Sequence, residues 1–323
     1  DQAERLRIQA RDVLGLASVG ATAGALTELA EAVLEAALAQ VAPPLPMALV
    51  AMGRFGGAEL SYASDLDVLF VYEGSTPEDF ALAEQAAEAL VLAVRGPTPA
   101  TRIYNLDADL RPEGRQGPLA RSLAGFAAYY QRWAQTWERQ ALVRARPVGG
   151  DATLGRRFME VIEPFVWGPL SAEETREIRR MKARVERERI PPGDDPQFHL
   201  KLGRGSLSDV EWTVQLLQLR HGVRAPGTIS AIGLLAGAGV LAPADAEVLG
   251  DAYRFCERAR NRWFLVKGAP GDALPAQPAQ LARLAHSLDT TAGQLRDDYR
   301  RVTRRARQVV ERVFYGKEPE AGL

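Results

Sequence analysis

The decisive stretch runs Gly53-Arg54-Phe55-Gly56-Gly57, then Ser64-Asp65-Leu66-Asp67, then Val68-Leu69-Phe70-Val71-Tyr72. A short apolar run, Met47 to Met52, precedes it and predicts a buried strand. Leu66 to Tyr72 predicts a second buried strand, apolar except at position 67. Side chains at i and i+2 of a strand face the same way, so Asp65 and Asp67 are expected to project together. Two carboxylates so placed repel each other and lose hydration unless a cation lies between them. Magnesium suits such oxygen donors and often bridges carboxylates to phosphates.

Working outward, the segment Ile103–Leu110 alternates, with Asn105, Asp107 and Asp109 on one face and Tyr104, Leu106, Ala108 and Leu110 on the other. Beside the Asp65–Asp67 strand, Asp107 would complete a three-carboxylate set able to hold two divalent ions. Such a pair can stabilise the entering and leaving oxygens of a phosphoryl or nucleotidyl transfer. Gly56 and Gly57 are expected to take positive φ and to bring backbone N–H groups close to a phosphate chain. No Gly-Lys-Ser/Thr follows them, so the loop is not a Walker A motif. Gly203-Arg204-Gly205-Ser206 lacks the third glycine of a dinucleotide fingerprint.

Residues 1–42, rich in Ala, Leu and Glu, predict one or two helices with a break near residues 15–24, ended by Pro43-Pro44-Leu45-Pro46. An Ala-rich helix is expected over 78–95. Beyond about residue 120 the chain reads as helical, with a capping box at Ser171 and Glu174. Two apolar stripes stand out there: Leu207, Val210, Val214 and Leu217, and Leu295, Tyr299, Val302, Ala306, Val309 and Val313. The arginines around the second stripe read as a solvated face or as a docking surface for an acidic partner. The tail after Tyr315 is expected to fray. These elements predict a helix-dominant α+β chain with a small mixed sheet: a helical arm over 1–45, a catalytic domain over 46–155 and a helical bundle over 156–323.

Composition narrows the function. The 323 residues hold 40 basic and 41 acidic side chains, a net charge of -1, which argues against a general nucleic-acid binder. A single cysteine, Cys256, excludes an intramolecular disulfide and a cysteine zinc cage, and fits the cytoplasm. No apolar run is long enough to span a membrane, and no signal peptide is visible. The opening at Asp1 suggests processing or a piece of a longer protein. His199, His221 and His286 show no metal-ligand spacing, and Trp133, Trp137 and Trp167 read as core or interface residues.

The ordered set Gly-Gly, Ser-Asp-x-Asp and a later strand Asp resembles the nucleotidyltransferase superfamily that includes DNA polymerase β. Three longer stretches resemble one family within it, glutamine synthetase adenylyltransferase: residues 53–67, Leu106-Asp107-Ala108-Asp109-Leu110-Arg111-Pro112-Glu113-Gly114, and Lys201-Leu202-Gly203 with Leu207-Ser208-Asp209-Val210-Glu211-Trp212. The wording is closest to actinobacterial members. Members carry two such units in tandem, the N-terminal one removing AMP by phosphorolysis and the C-terminal one adding it from ATP. Trp137-Glu138-Arg139-Gln140-Ala141-Leu142-Val143-Arg144-Ala145-Arg146 resembles the C-terminal, adenylylating unit.

The resemblance implies AMP transfer from Mg-ATP, with two magnesium ions, to a tyrosine of glutamine synthetase. It also implies a polymerase β-like catalytic domain followed by a helical bundle, and regulation by glutamine and a PII signal protein. Asp65, Asp67 and Asp107 would be the catalytic and metal-holding residues. Gly56, Gly57 and Ser64 would contact the triphosphate. Arg111 and Lys201 are candidates to reach a phosphate. Glu211, with Gln215 and Gln218, forms a polar stripe that is either an exposed face or a lining of the cleft between catalytic and helical parts. Two positions depart from the family: Asp109, where many relatives have Arg, puts an extra carboxylate near the site, and Ser206, where relatives have Gly, reads as a helix N-cap with Asp209 three residues on. Reverse phosphorolysis, a nucleotide-sensing module without catalysis, and transfer to another acceptor remain competing readings.

Overall fold

The computed structural model describes residues 2–96, 98 and 103–317. The chain divides into two compact units: residues 1–12, 20–60 and 64–168 make the first, and 13–19, 61–63 and 169–323 the second.

In the first unit two helices, α1 (Gln2–Val13) and α2 (Val19–Val41), precede β1 (Met47–Ala51), the one-turn α3 (Gly53–Gly56) and β2 (Leu66–Tyr72). Then come α4 (Pro77–Arg95), β3 (Leu106–Asp107), β4 (Ala120–Ser122), α5 (Leu123–Arg132), α6 (Thr136–Leu142), β5 (Arg146–Gly150) and α7 (Ala152–Trp167). β1 and β2 pair antiparallel from Met47↔Tyr72 to Ala51↔Val68. Both are buried on both faces, as their unbroken apolar sequences require, except that Asp67 stays partly open. β5 closes the other side of β1, with an irregularity between Leu49 and Val50. β3 and β4 both run parallel to β2 and share its remaining edge, at Leu66↔Leu106 and Asp67↔Asp107 and then at Phe70↔Ala120 to Tyr72↔Ser122. The sheet is therefore mixed, ordered β3-β2-β1-β5. α4 makes the crossover that a parallel connection needs. Its start is fixed by Thr76 and Asp79, which form a reciprocal capping box, and Ala83, Ala86, Ala87, Leu90 and Val94 are buried.

Among its described residues the second unit is helical, apart from one isolated bridge between His199 and Ala273. Its helices are α8 (Ala172–Glu188), α9 (Leu207–His221), α10 (Thr228–Gly237), α11 (Pro243–Lys267), α12 (Pro278–Ser287) and α13 (Ala292–Val313). The capping box at Ser171 and Glu174 opens α8. Leu207, Val210, Val214 and Leu217 are all buried, as are Leu295, Tyr299, Ala306 and Val309. An ionic cluster ties three helices together. Asp209 on α9, fully buried, pairs with Lys182 on α8 at 2.5 Å and with Arg307 on α13 at 2.9 Å. Burial alone would lower the pKa of Arg307, but Asp209, Glu311 and Glu186 together raise it above the ordinary arginine value.

Several expectations need correction. The chain is not wholly helical after residue 120: β4 and β5 were hidden because the first has three residues and the second reads Arg-Pro-Val-Gly-Gly. Proline and glycine weaken a strand signal, yet an edge position tolerates them. The strand expected over 103–110 contracts to β3, although its predicted in-out alternation of burial holds from Tyr104 to Asp109. A boundary at 155/156 would cut through α7; the division falls at Gly168/Pro169, and most of the helical arm belongs with the sheet. Trp133 is 72% exposed, at the end of α5, and is not a core residue. Ser206 occupies the N-cap position of α9 without capping it. Its hydroxyl donates to the Gly203 carbonyl at 2.6 Å, while Asp209 accepts the Gly205 N–H at 2.7 Å. The tail expected to fray lies, from residue 318, outside the described residues.

Asp209→Ala removes the nearest carboxylate from the buried Lys182, leaving it only Glu186 at 3.5 Å, and is expected to cost about 3 kcal/mol, read from urea unfolding. His199 gives a pH dependence. It is buried, and its Nδ1 accepts N–H groups from Lys201 at 3.2 Å and Leu202 at 2.9 Å. Burial lowers its pKa, with Lys201 and Arg260 adding to that and Asp272 and Asp194 opposing it. The native state thus binds fewer protons than the unfolded chain just below the unfolded value of about 6.5, so stability is present above that pH and lost as pH falls. The melting temperature of wild type is expected to drop between about pH 7 and 5, with a flatter profile for His199→Asn.

Candidate functional site

All site geometry in the first unit follows from one register. Asp67 and Asp107 are partners in adjacent parallel strands, so their side chains leave the sheet on the same face. Both are half-buried, whereas Asp65, one residue ahead of β2, is exposed. The pairing is fixed at its start by Leu66, whose N–H donates to the Asn105 carbonyl at 2.9 Å. The Asp67 carbonyl in turn accepts the Met52 N–H at 2.8 Å, tying β2 to the end of β1.

The glycine-rich segment is a single helical turn. Gly53 has φ of 52°, and a Cβ there would stand 2.2 Å from the Asp67 carboxylate oxygen Oδ2. Only glycine leaves that carboxylate its place. Gly56 and Gly57 do not take positive φ as expected: Gly56 lies within α3, Gly57 has φ of -70°, and the left-handed residues are Gly53 and Ala58. Nor are their N–H groups available to a phosphate through the turn, since they donate to the carbonyls of Met52 at 2.7 Å and Gly53 at 3.1 Å. Gly56 is small for another reason: its Cβ would meet the Arg144 carbonyl at 2.0 Å.

The stretch 137–146 buttresses this turn, a role that sequence reasoning missed. Arg146 donates from Nε to the Gly56 carbonyl and from Nη2 to that of Phe55, and it pairs with Glu31 on α2 at 2.6 Å. Arg144, almost fully buried, lies 3.5 Å from Glu59. Arg139 donates to the carbonyls of Val166 and Gly168 at the end of α7. Glu138 accepts the Gln135 N–H and the Tyr129 hydroxyl, and burial raises its pKa. The only sequence signal for this support was the density of charged residues in an otherwise apolar stretch.

Asp109 does not crowd the carboxylate pair. It forms a salt bridge with Arg115 at 2.7 Å, while its backbone N–H donates to Asp107 Oδ1 at 2.8 Å. Arg111 is committed to the loop through Nε to the Gly117 carbonyl and Nη1 to the Ala108 carbonyl. Ser64 is half-buried next to Asp65. Lys201 and Glu211 belong to the second unit, the first exposed and the second half-buried. Of the polar stripe on α9, no member is fully exposed, and Gln218 is buried with its amide donating to the carbonyls of Val223 and Ala225. Within the same unit, Ser61 accepts a hydrogen bond from Arg260 at 2.8 Å and Tyr62 stacks on Phe264.

The donor chemistry of Asp65, Asp67 and Asp107 fits a hard divalent cation: oxygen ligands only, with a glycine clearing the space at one of them. Among the described residues, no three His, Cys, Asp or Glu side chains are already gathered tightly enough to hold a metal. No described helix is long and apolar enough to cross a membrane.

Residues 1–161 match the family model for glutamate-ammonia ligase adenylyltransferase, and residues 175–315 match that for GlnD PII-uridylyltransferase. The chain is 46% identical over 321 residues to a bifunctional glutamine synthetase adenylyltransferase/adenylyl-removing enzyme of Streptomyces avermitilis, covering 93% of this chain and 32% of that protein. It is 45% identical over 333 residues to the protein of that name from Mycobacterium tuberculosis, covering 96% and 34%, and 44% identical over 334 residues to that of Mycobacterium leprae, covering 96% and 33%. The chain thus spans about a third of the length of these relatives.

Gly53→Ala would push its new methyl group onto Asp67. It is expected to weaken Mn²⁺ binding, followed by electron paramagnetic resonance, by about tenfold while the helical unit keeps its unfolding transition.

Proposed function

The chain belongs to the glutamate-ammonia ligase adenylyltransferase family, and on that premise we propose that it transfers AMP from Mg-ATP to a tyrosine of glutamine synthetase in the cytoplasm. The observation that carries this reading is the register of Asp67 with Asp107, two carboxylates side by side on parallel strands with Asp65 just ahead. Such a set has no structural use that a pair of neutral side chains would not serve at lower cost, whereas nucleotidyl transfer needs it.

In this proposal the tyrosine oxygen bonds to the α-phosphorus as the bond to the pyrophosphate oxygen breaks. A free tyrosine has a pKa of about 10 and is a weak nucleophile at neutral pH, so its proton must be taken as the bond forms. Asp107 Oδ1 already accepts the Asp109 N–H, which makes Oδ2 the atom that receives the proton. Two magnesium ions held by Asp65, Asp67 and Asp107 would supply positive charge to the entering and leaving oxygens. Ser64 would contact the triphosphate, and Gly56 and Gly57 would shape the turn. Arg111 would reach a phosphate through Nη2, its other nitrogens Nε and Nη1 being bound to the loop. Glutamine and a PII signal protein are the proposed regulators, and the match of 175–315 to a PII-modifying family supports the second.

The resemblance of 137–146 to adenylylating units favours the forward direction over phosphorolysis. The test uses the purified chain, unmodified glutamine synthetase, Mg²⁺ and ATP labelled at the α-phosphate. Label is expected on a tyrosine, falling at least about a hundredfold in Asp65→Asn and in Asp67→Asn with folding intact. ADP released from AMP-modified glutamine synthetase and phosphate, without forward labelling, would assign the reverse reaction. Full activity of either Asn variant would overturn the metal-site assignment.

A further inference from the structure

Near-neutral total charge conceals an asymmetry. Residues 169–323 hold 25 of the 40 basic residues and 20 of the 41 acidic ones, an excess of five positive charges. Within that unit a cavity of about 1330 Å³ lies between α8, α13 and the segment from Ile190 to Arg204. Some of its arginines are neutralised locally. Arg301 pairs with Asp298 at 2.6 Å, and Arg204 and Arg307 both reach Glu186. Arg187, Arg304 and Arg305 make no ion pair with any described residue, although all three line the cavity and are exposed.

Helix geometry makes this arrangement unfavourable by itself. The neighbours of Arg304 at three and four residues' distance are Arg300, Arg301, Arg307 and Gln308; those of Arg305 are Arg301, Val302, Gln308 and Val309. No acid is available on either helical turn, and like charges at this spacing repel. Arg187 adds a third unpaired guanidinium from the facing helix. Arg300 and Arg301, by contrast, have acids three residues back, in Asp297 and Asp298. The cluster at 304 and 305 lacks them and turns toward a cavity floored partly by the apolar Leu202 and Tyr299.

We infer that this groove between α8 and α13 is a docking site for an acidic segment of a partner protein, one carrying apolar side chains beside its carboxylates. Guanidinium groups fork onto carboxylates with two parallel hydrogen bonds, and three of them on two helices set a spaced pattern of acids. The volume exceeds that of ordinary small-molecule pockets and suits a peptide laid between helices. A nucleic acid is disfavoured because Glu186 and Glu311 stand among the arginines and would repel an unbroken row of phosphates.

The test is fluorescence anisotropy on the whole chain with a labelled Glu/Leu peptide of about twelve residues. Binding is expected to weaken as salt rises from about 50 to 200 mM. It is expected to fall at least about tenfold in R304E/R305E and independently in R187E, and to be unchanged in R258E, an exposed arginine on α11 away from the groove. Because R187E and R304E/R305E alter different helices, misfolding of one leaves the other decisive. Unchanged binding in a folded R304E/R305E or R187E overturns the proposal, as does stronger competition from a single-stranded oligonucleotide of equal charge than from unlabelled peptide.

Discussion

Two carboxylates held side by side, Asp67 on β2 and Asp107 on β3, are the constraint around which the first unit is organised. Like charges on neighbouring strands disfavour that pairing. It persists because the strands around it have no alternative. β1 and β2 bury apolar side chains on both faces, and a slip of one residue would turn Asp67 into that core. The crossover through α4 then delivers β3 to the one edge of β2 that β1 does not occupy.

The turn after β1 is shaped by the same constraint from the other side. Gly53 yields to the Asp67 carboxylate, Gly56 yields to the Arg144 carbonyl, and Arg146 ties the end of the turn to Glu31. Three stretches distant in sequence, 31, 53–59 and 144–146, thus fix one small surface. Its rigidity comes from buried or half-buried arginines whose donors meet backbone carbonyls, an arrangement that removes freedom from the backbone as well as neutralising charge. The second unit uses its ions differently. Asp209, Lys182 and Arg307 pin three helices to one another, so Asp209 has a structural partner for each oxygen. The groove beside this cluster leaves Arg304 and Arg305 without such partners, which is why the two sets of arginines are assigned different roles.

The sequence by itself determined a strand within 47–52, a strand over 66–72, a helix over 78–95 and the capping box at Ser171. It could do so because each rests on local rules: apolar runs, alternation, and a side chain reaching a backbone three residues away. Tertiary structure decided what those rules do not contain. β4 and β5 exist only because β2 and β1 offer unfilled edges, so Ala120–Ser122 and Arg146–Gly150 carry little strand signal of their own. Gly56 looked like a phosphate loop residue, and only the approach of residue 144 reveals that packing demands it. Ser206 looked like a cap, but the buried Asp209 is held by Lys182 and Arg307 and itself takes the Gly205 N–H, while the serine hydroxyl turns to Gly203. Periodicity reports which residues a chain buries; which distant backbone they meet is set by packing, and that depends on the whole fold at once.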